Sequence, residues 1–510
     1  MPRPNHQLTS DTGTVYLVGA GPGDPGLITL RGLGCLQQAD AVLYDYLCNP
    51  LLLDHAPPQA ERICLGRHGR AEIWSPEAIH ARMVQLAREG KTVVRLKGGD
   101  PSVFSRVAQE VEALEQASIA YEIVPGVTAG LAAASYAGVH VTHRDVASAV
   151  ALVAGQENPD KYGPSLDFHA LARFPGTLIF YMGVTTAPRW TQSLITAGLP
   201  ADTPAVIVRR CSLPDQVRVC CRLDEVAAHL SPRTSIPPPV VVIVGRAAGL
   251  NADKSWFERR PLFGKRVMVT RPRDQCLALG ELLMRQGADC IIQPAIQITD
   301  PTDWTPVDDC LAHLARFDWL VFSSANGVRR LLERLFFLHH DLRALGGRQL
   351  AAIGPGTADE LARYHLRADL QPAEYRAEAL ASVLAPAVRR RRVLLVRASR
   401  GREVLAQRLC EAGADVEQAV VYESCDVATA DAEAAAQLEQ GRIDWITVTS
   451  SAIARSLVKL FGAQLRRARL VSISPVTSAT LRELGYPPDA EAETYTMAGV
   501  VDALLRGVNR

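Results

Sequence analysis

Residues 14–26 read Thr14-Val15-Tyr16-Leu17-Val18-Gly19-Ala20-Gly21-Pro22-Gly23-Asp24-Pro25-Gly26. A short apolar run ends in a turn of glycine and proline, the pattern of a buried strand feeding a turn at the edge of an α/β sheet. The dinucleotide-binding fingerprint requires glycine at the sixth position of such a turn. That position is Asp24 here, and Pro22 and Pro25 stiffen the turn. A pyrophosphate cradle uses free backbone N–H groups, and each proline removes one. A nicotinamide- or flavin-dependent oxidoreductase is therefore disfavoured.

Two further turns share this character. Arg95-Leu96-Lys97-Gly98-Gly99-Asp100-Pro101 follows a second apolar run, and its glycines let the backbone approach a ligand closely. Val124-Pro125-Gly126-Val127-Thr128-Ala129-Gly130 follows a third and opens a helix with small residues. Ligands collect at strand ends of α/β sheets, so the three turns together mark a candidate site. Outward from them, runs at 14–18, 92–96, 177–181, 240–244, 266–270, 319–322, 393–396 and 445–448 alternate with amphipathic stretches such as 76–89 and 275–286. Several runs lack alternation, as expected of strands covered on both faces. The fold class is α/β throughout.

The chain has 510 residues, enough for about three or four domains at roughly 150 residues each. The 55 Lys and Arg against 54 Asp and Glu leave a net charge of +1. That balance excludes a bulk nucleic-acid coat, and no nucleic-acid partner is expected. The 11 cysteines are odd in number, irregularly spaced and without a Cys-x-x-Cys pair, which reads as a reduced, cytoplasmic protein. No stretch approaches the ~20 apolar residues of a membrane helix. Residues 1–12 read as a flexible lead-in without a signal core. The charged, punctuated stretch 251–264 reads as a linker between two near-equal halves, 13–250 and 265–510.

The second half carries a weak internal repeat. Asp318-Trp319, Ser323-Ser324-Ala325-Asn326 and Ile353-Gly354-Pro355-Gly356-Thr357 answer to Asp444-Trp445, Ser450-Ser451-Ala452 and Ile473-Ser474-Pro475-Val476-Thr477. Each copy predicts a strand ending in hydroxyls, a helix, a second strand, and a turn whose threonine opens a helix. Ser323, Asn326, Thr357, Ser450 and Thr477 are then candidate contacts for a polyanion, because open helix starts favour negative charge. Most are equally good helix N-caps. No nucleophile–base pair or metal signature appears. His339-His340 reads as a helix end, and Arg389–Arg392 as a solvated helix end or an anion-attracting cluster.

On these stretches, together with Leu43-Tyr44-Asp45, Thr142-His143-Arg144 and Phe180-Tyr181-Met182-Gly183, residues 13–250 resemble uroporphyrinogen-III C-methyltransferase of the tetrapyrrole methylase family. The resemblance implies two α/β lobes, a homodimer through this half, and S-adenosylmethionine held by Pro22, Gly98, Gly99, Asp100, Val103, Thr128, Ala129 and Met182. It implies Asp45 as proton acceptor, and Arg67 and Arg144 as contacts for substrate carboxylates. The chain departs from the family where Arg67 replaces a lysine, at Ser105-Arg106-Val107-Ala108-Gln109, and at Cys211 where glycine is usual.

Residues 265–510 resemble uroporphyrinogen-III synthase on Val267-Met268-Val269-Thr270-Arg271-Pro272, Phe322-Ser323-Ser324-Ala325-Asn326, Val420-Val421-Tyr422 and the repeat motifs. The resemblance implies two lobes on a two-stranded linker, lobe 1 at 265–298 plus 427–510 and lobe 2 at 299–424. It implies Tyr422 as an aid to hydroxide loss; a phenol near its usual pKa of about 10 donates at neutral pH. The expected partners are hydroxymethylbilane and uroporphyrinogen III. The joint reading is a bifunctional enzyme that closes hydroxymethylbilane with inversion of ring D and methylates the product twice to precorrin-2. The alternative is a tetrapyrrole-binding or regulatory protein with one decayed half.

Overall fold

The computed structural model describes residues 12–66, 74–158, 165–230, 236–250, 255–401 and 403–508. They form two compact units, Met1–Gly264 and Lys265–Arg510.

The first unit has two sheets. Strands β1 (Thr14–Gly19), β2 (Ala41–Tyr44), β3 (Glu61–Cys64), β4 (Val93–Lys97) and β5 (Ala120–Val124) form an all-parallel sheet in the order β3-β2-β4-β1-β5. β4 is buried along its whole length, which explains its lack of alternation. Strands β6 (Ala149–Ala154), β7 (Gly176–Tyr181), β8 (Pro204–Arg209), β9 (Val217–Arg222) and β10 (Val240–Val244) form a mixed sheet in the order β6-β7-β10-β8-β9. Trp190 stacks on Phe180 at 4.1 Å between centroids and donates to Gly183 O, so the largest side chain of that core has its polar atom satisfied.

The second unit repeats one plan twice. Strands β11 (Arg266–Val269) and β12 (Asp289–Ile292) join three later ones in one sheet. β13 (Ile296–Thr299), β14 (Trp319–Phe322), β15 (Gln349–Ala352), β16 (Arg392–Ala398) and β17 (Asp415–Asp426) form the other, in the order β13-β17-β16-β14-β15. With β18 (Trp445–Val448), β19 (Arg469–Ser472) and β20 (Ala490–Glu491) the first is β12-β11-β18-β19-β20, all parallel. Residues 296–298, expected with lobe 1, pair antiparallel with the far end of β17. That ladder is the two-stranded connection between the lobes.

The internal repeat is present in the backbone. Ser324 and Ser450 cap the helices Ala325–Phe337 and Ser451–Phe461 with φ −166° in both, each accepting from the third residue onward. Asp318 and Asp444 each accept from the N–H that begins the neighbouring strand, Arg392 and Arg266, at 2.8 Å.

Candidate functional site

Parallel strands in the order β2-β4-β1-β5 bring Asp45, the Gly98–Asp100 turn, the Gly19–Asp24 turn and the Gly126–Thr128 turn to one carboxyl edge. The turns are tied to one another through backbone groups. Ala20 N donates to Lys97 O at 2.7 Å, and Gly21 and Gly99 exchange both bonds at 2.7 and 3.2 Å. The N–H groups of Ala20 and Gly21 are thus engaged by Lys97 and Gly99, which is a physical reason against a phosphate cradle there. A Cβ on Gly19 would lie 2.6 Å from Gly126 Cα, so only glycine permits this approach. Gly99, at φ +71°, turns its open side toward the start of the helix Ala129–Ala137, with the nearest atom 3.7 Å from a built Cβ.

Asp100 holds two turns at once: Oδ2 accepts from Gly126 N at 2.9 Å and Oδ1 from Ser102 N at 2.7 Å. Asp24 caps the single turn Pro25–Leu27, accepting from Gly26 N at 2.8 Å and from Tyr136 Oη at 2.7 Å. Its own N–H donates to Ser212 Oγ of the second lobe at 3.0 Å. The second lobe also sends Tyr181 to this edge. The Tyr181 hydroxyl accepts from Gly130 N at 2.6 Å, pairs with Thr128 Oγ1 at 2.8 Å, and its ring lies 5.1 Å from Phe104. Met182 follows at φ +52° and is 51% exposed. Cys211 is buried beneath Ala129, with its thiol pushed up to about 12 by burial. A thiol there is an inert packing group.

Asp45 lines a recess of about 230 Å³ with Tyr46, Leu47, Leu65, Gly66, Trp74 and Ile79. Its Oδ1 accepts from Arg95 Nη2 at 2.6 Å. Arg95 in turn donates through Nε to Glu110 at 3.0 Å, and Lys97 Nζ holds both Glu110 oxygens at 2.7 Å. Arg95, Lys97 and Glu110 are each 4% exposed or less. Two cations and two carboxylates therefore balance inside the sheet edge. Burial and the adjacent Arg95 pull the Lys97 pKa below its ordinary value. Arg95, Lys97, Glu110 and Tyr181 were missed from sequence. A signal existed for the first three: Arg95 and Lys97 stand two apart on one face of a buried strand, which demands carboxylates nearby.

Pro22 and Val103 lie on the same edge, half-buried. Arg144 sits in the turn between His143 and Ala147 with its side chain 89% exposed, beside Asp145. Arg67 lies outside the described residues.

In the second unit, Ser323, Ser324 and Asn326 stand at the carboxyl end of β14, and Ser450 at that of β18. Ser323 Oγ donates to Val396 O at 3.0 Å. Tyr422 is 7% exposed, and its hydroxyl lies 3.1 Å from Ser324 Oγ. Burial raises its pKa against the opposing pull of hydrogen bonds to Ser324 and Asn326, so the phenol keeps its proton. Asn326 Oδ1 accepts from Gln275 Nε2 at 2.8 Å, a bond from one lobe to the other. Thr357 and Thr477, expected to open their helices, occupy the third position of Pro355–Arg363 and Pro475–Glu483 and are 4% and 2% exposed. The caps are Gly354 and Ser474; both threonines are buried in the first turn, and Thr477 Oγ1 lies 3.2 Å from Ser474 Oγ at the helix start. Gln275 escaped sequence reading. Among the described residues no group of His, Cys, Asp and Glu could hold a metal, and no helix is long and apolar enough to cross a membrane.

Comparison with known proteins gives matches to both halves. Residues 14–227 match the family described as Tetrapyrrole (Corrin/Porphyrin) Methylases, and residues 278–502 match Uroporphyrinogen-III synthase HemD. The chain is similar to the Porphyrin biosynthesis protein HemD of Ruminiclostridium josui, 31% identical over 97% of this chain and 98% of the relative. It is similar to the Uroporphyrinogen-III C-methyltransferase of Bacillus subtilis, 37% identical over 71% of this chain and 74% of the relative. The Siroheme synthase of Zymomonas mobilis is 44% identical over 50% of this chain and 54% of its own length.

Proposed function

The chain belongs to the tetrapyrrole methylase family through its first unit and to the uroporphyrinogen-III synthase family through its second, and from that premise we propose that it catalyses two consecutive steps. The second unit closes hydroxymethylbilane to uroporphyrinogen III with inversion of ring D. The first methylates that product twice to precorrin-2, on the sirohaem or cobalamin route. The two domains of this proposal meet at Gly264 and Lys265, since residues of the expected linker 251–264, Ser255 and Phe257, pack on Tyr136 of the first unit.

S-adenosylmethionine supplies the methyl group from its sulfonium centre. The residues of the edge fit such a group: Gly99 has an open side, and the apolar side chains of Phe104, which packs on Tyr181, and of Met182, the next residue, are 43% and 51% exposed. Pro22, Gly98, Gly99, Asp100, Val103, Thr128, Ala129 and Met182 would hold it. Methyl transfer to a pyrrole carbon depends on in-line alignment more than on a strong acid or base, and orientation alone supplies about 7–11 kcal/mol. A proton must then leave the methylated carbon. Asp45 takes that role in this proposal, with its carboxylate oriented by Arg95. Arg67 and Arg144 are proposed for substrate carboxylates.

In the second unit Tyr422 donates a hydrogen bond or proton as the hydroxyl leaves as water, and Ser323, Asn326, Ser450 and the helix starts at Thr357 and Thr477 receive side-chain carboxylates. The observation that carries the reading is the junction of three glycine turns at one sheet edge with Asp45 beside them. Two assays test it. Uroporphyrinogen III with S-adenosylmethionine yields a doubly methylated product, and hydroxymethylbilane alone yields isomer III. Spontaneous closure to isomer I, or cofactor binding without turnover, contradicts the corresponding half and favours a regulatory binder.

A further inference from the structure

The repeat in the second unit supplies an internal control. Val269 pairs with Thr447 as Leu395 pairs with Val321; counting two residues on from each, Arg271, just past β11, corresponds to Arg397, near the end of β16. Arg397 is neutralised: its Nη1 meets Glu403 at 2.5 Å and Gln418 at 2.6 Å. Arg271 is not. Its Nη2 donates to the neutral Gln275 Oε1 at 2.6 Å, its Nη1 rests on Met497 Sδ, and its buried Nε has no hydrogen-bond partner among the described residues. Among the described residues no carboxylate forms an ion pair with it. The neighbouring Asp274 meets Arg329 instead, at 3.4 Å.

A half-buried cation without a counter-ion is costly. Burial lowers the Arg271 pKa, yet guanidinium stays charged. The charge persists where it faces the lobe boundary. Gln275, which holds Arg271, also donates to Asn326 of the other lobe, and Asn326 hydrogen-bonds Tyr422. Arg271 also shares its sheet edge with Ser450, since β11 and β18 are parallel neighbours.

We infer that Arg271 is a receiving group for one side-chain carboxylate of the linear tetrapyrrole, with the neutral Gln275 standing where an internal counter-ion would otherwise close the site. The inference rests on the synthase reading of this unit. The planar fork of arginine suits such a carboxylate bidentately.

Gln275→Glu places an internal carboxylate on Arg271, as Glu403 does on Arg397. In the full-length protein it raises the KM for hydroxymethylbilane about tenfold, with kcat changed far less, and does not lower the thermal midpoint of the second unit. Gln275→Met loses the same amide without adding charge and raises KM less. Arg271→Met raises KM as Gln275→Glu does, and Arg271→Lys restores part of the loss. A purely structural arginine would be stabilised by Gln275→Glu with no rise in KM beyond that of Gln275→Met, and that result overturns the inference. If the wild-type protein forms no uroporphyrinogen III, the functional reading fails instead. Fluorescence titration with uroporphyrin III then still decides: weaker binding by Gln275→Glu than by Gln275→Met supports the carboxylate site, and equal binding overturns it.

Discussion

Arg95 Nη2 meets Asp45 Oδ1 at 2.6 Å across 50 residues of sequence, and this contact joins the proposed proton acceptor to a buried charge network. Asp45→Asn keeps the shape and a hydrogen bond to Arg95 but removes the basic oxygen. Methyl transfer then falls by about 10²–10⁴-fold, the usual worth of a positioned acid–base group. Binding of S-adenosylmethionine is retained. Single-turnover methylation of uroporphyrinogen III measures it.

Glu110 is the centre of the network, touching both Arg95 and Lys97. Glu110→Gln leaves two buried cations facing Asp45 alone. The first unit loses about 3–5 kcal/mol, the cost of an uncompensated buried charge. Native-state hydrogen exchange at the β4 amides reads this loss. A change below about 1 kcal/mol would show the network to be well hydrated.

Gly126→Ala puts a methyl group 2.7 Å from Gly19 Cα and against Gly99 O. The neighbours are backbone atoms of two other turns, so relief requires the turns to part. S-adenosylmethionine binding by calorimetry drops at least tenfold, while β10 and the rest of the second sheet, remote in sequence and paired among themselves, keep their hydrogen-exchange protection.

Tyr422 carries a phenol whose pKa is raised by burial. A raised pKa keeps the neutral, donating form to higher pH. Synthase kcat therefore shows no loss from this group between neutral pH and the ordinary phenol value of about 10. Tyr422→Phe lowers kcat by about 10²-fold or less, in line with loss of one general acid. A pH–rate profile that falls below pH 9 in the wild type but not in Tyr422→Phe would contradict the raised value.

The glycine turns were legible because their chemistry is local: strand, turn and helix start occur within about ten residues of sequence. The repeat was legible for the same reason, down to the caps at Ser324 and Ser450. The Arg95–Glu110–Lys97 cluster was not, since periodicity reports burial and says nothing of which carboxylate reaches a buried cation. Asp100, which the sequence offers as a ligand contact, has its carboxylate engaged by the N–H groups of Gly126 and Ser102. The threonines at 357 and 477 lie in the first turns of their helices, but proline at the first helical position sets each start two residues earlier and makes Gly354 and Ser474 the caps. Arg271 passed as part of a matching stretch, because the lack of an ion-pair partner among the described residues is visible only in three dimensions.

The central claim is that one chain carries both steps. The most direct measurement is a single incubation of the full-length protein with hydroxymethylbilane and S-adenosylmethionine, followed by absorption spectroscopy and mass analysis of the tetrapyrroles. The account predicts precorrin-2 carrying two added methyl groups. Uroporphyrin I alone, or unmethylated uroporphyrinogen III, would contradict it.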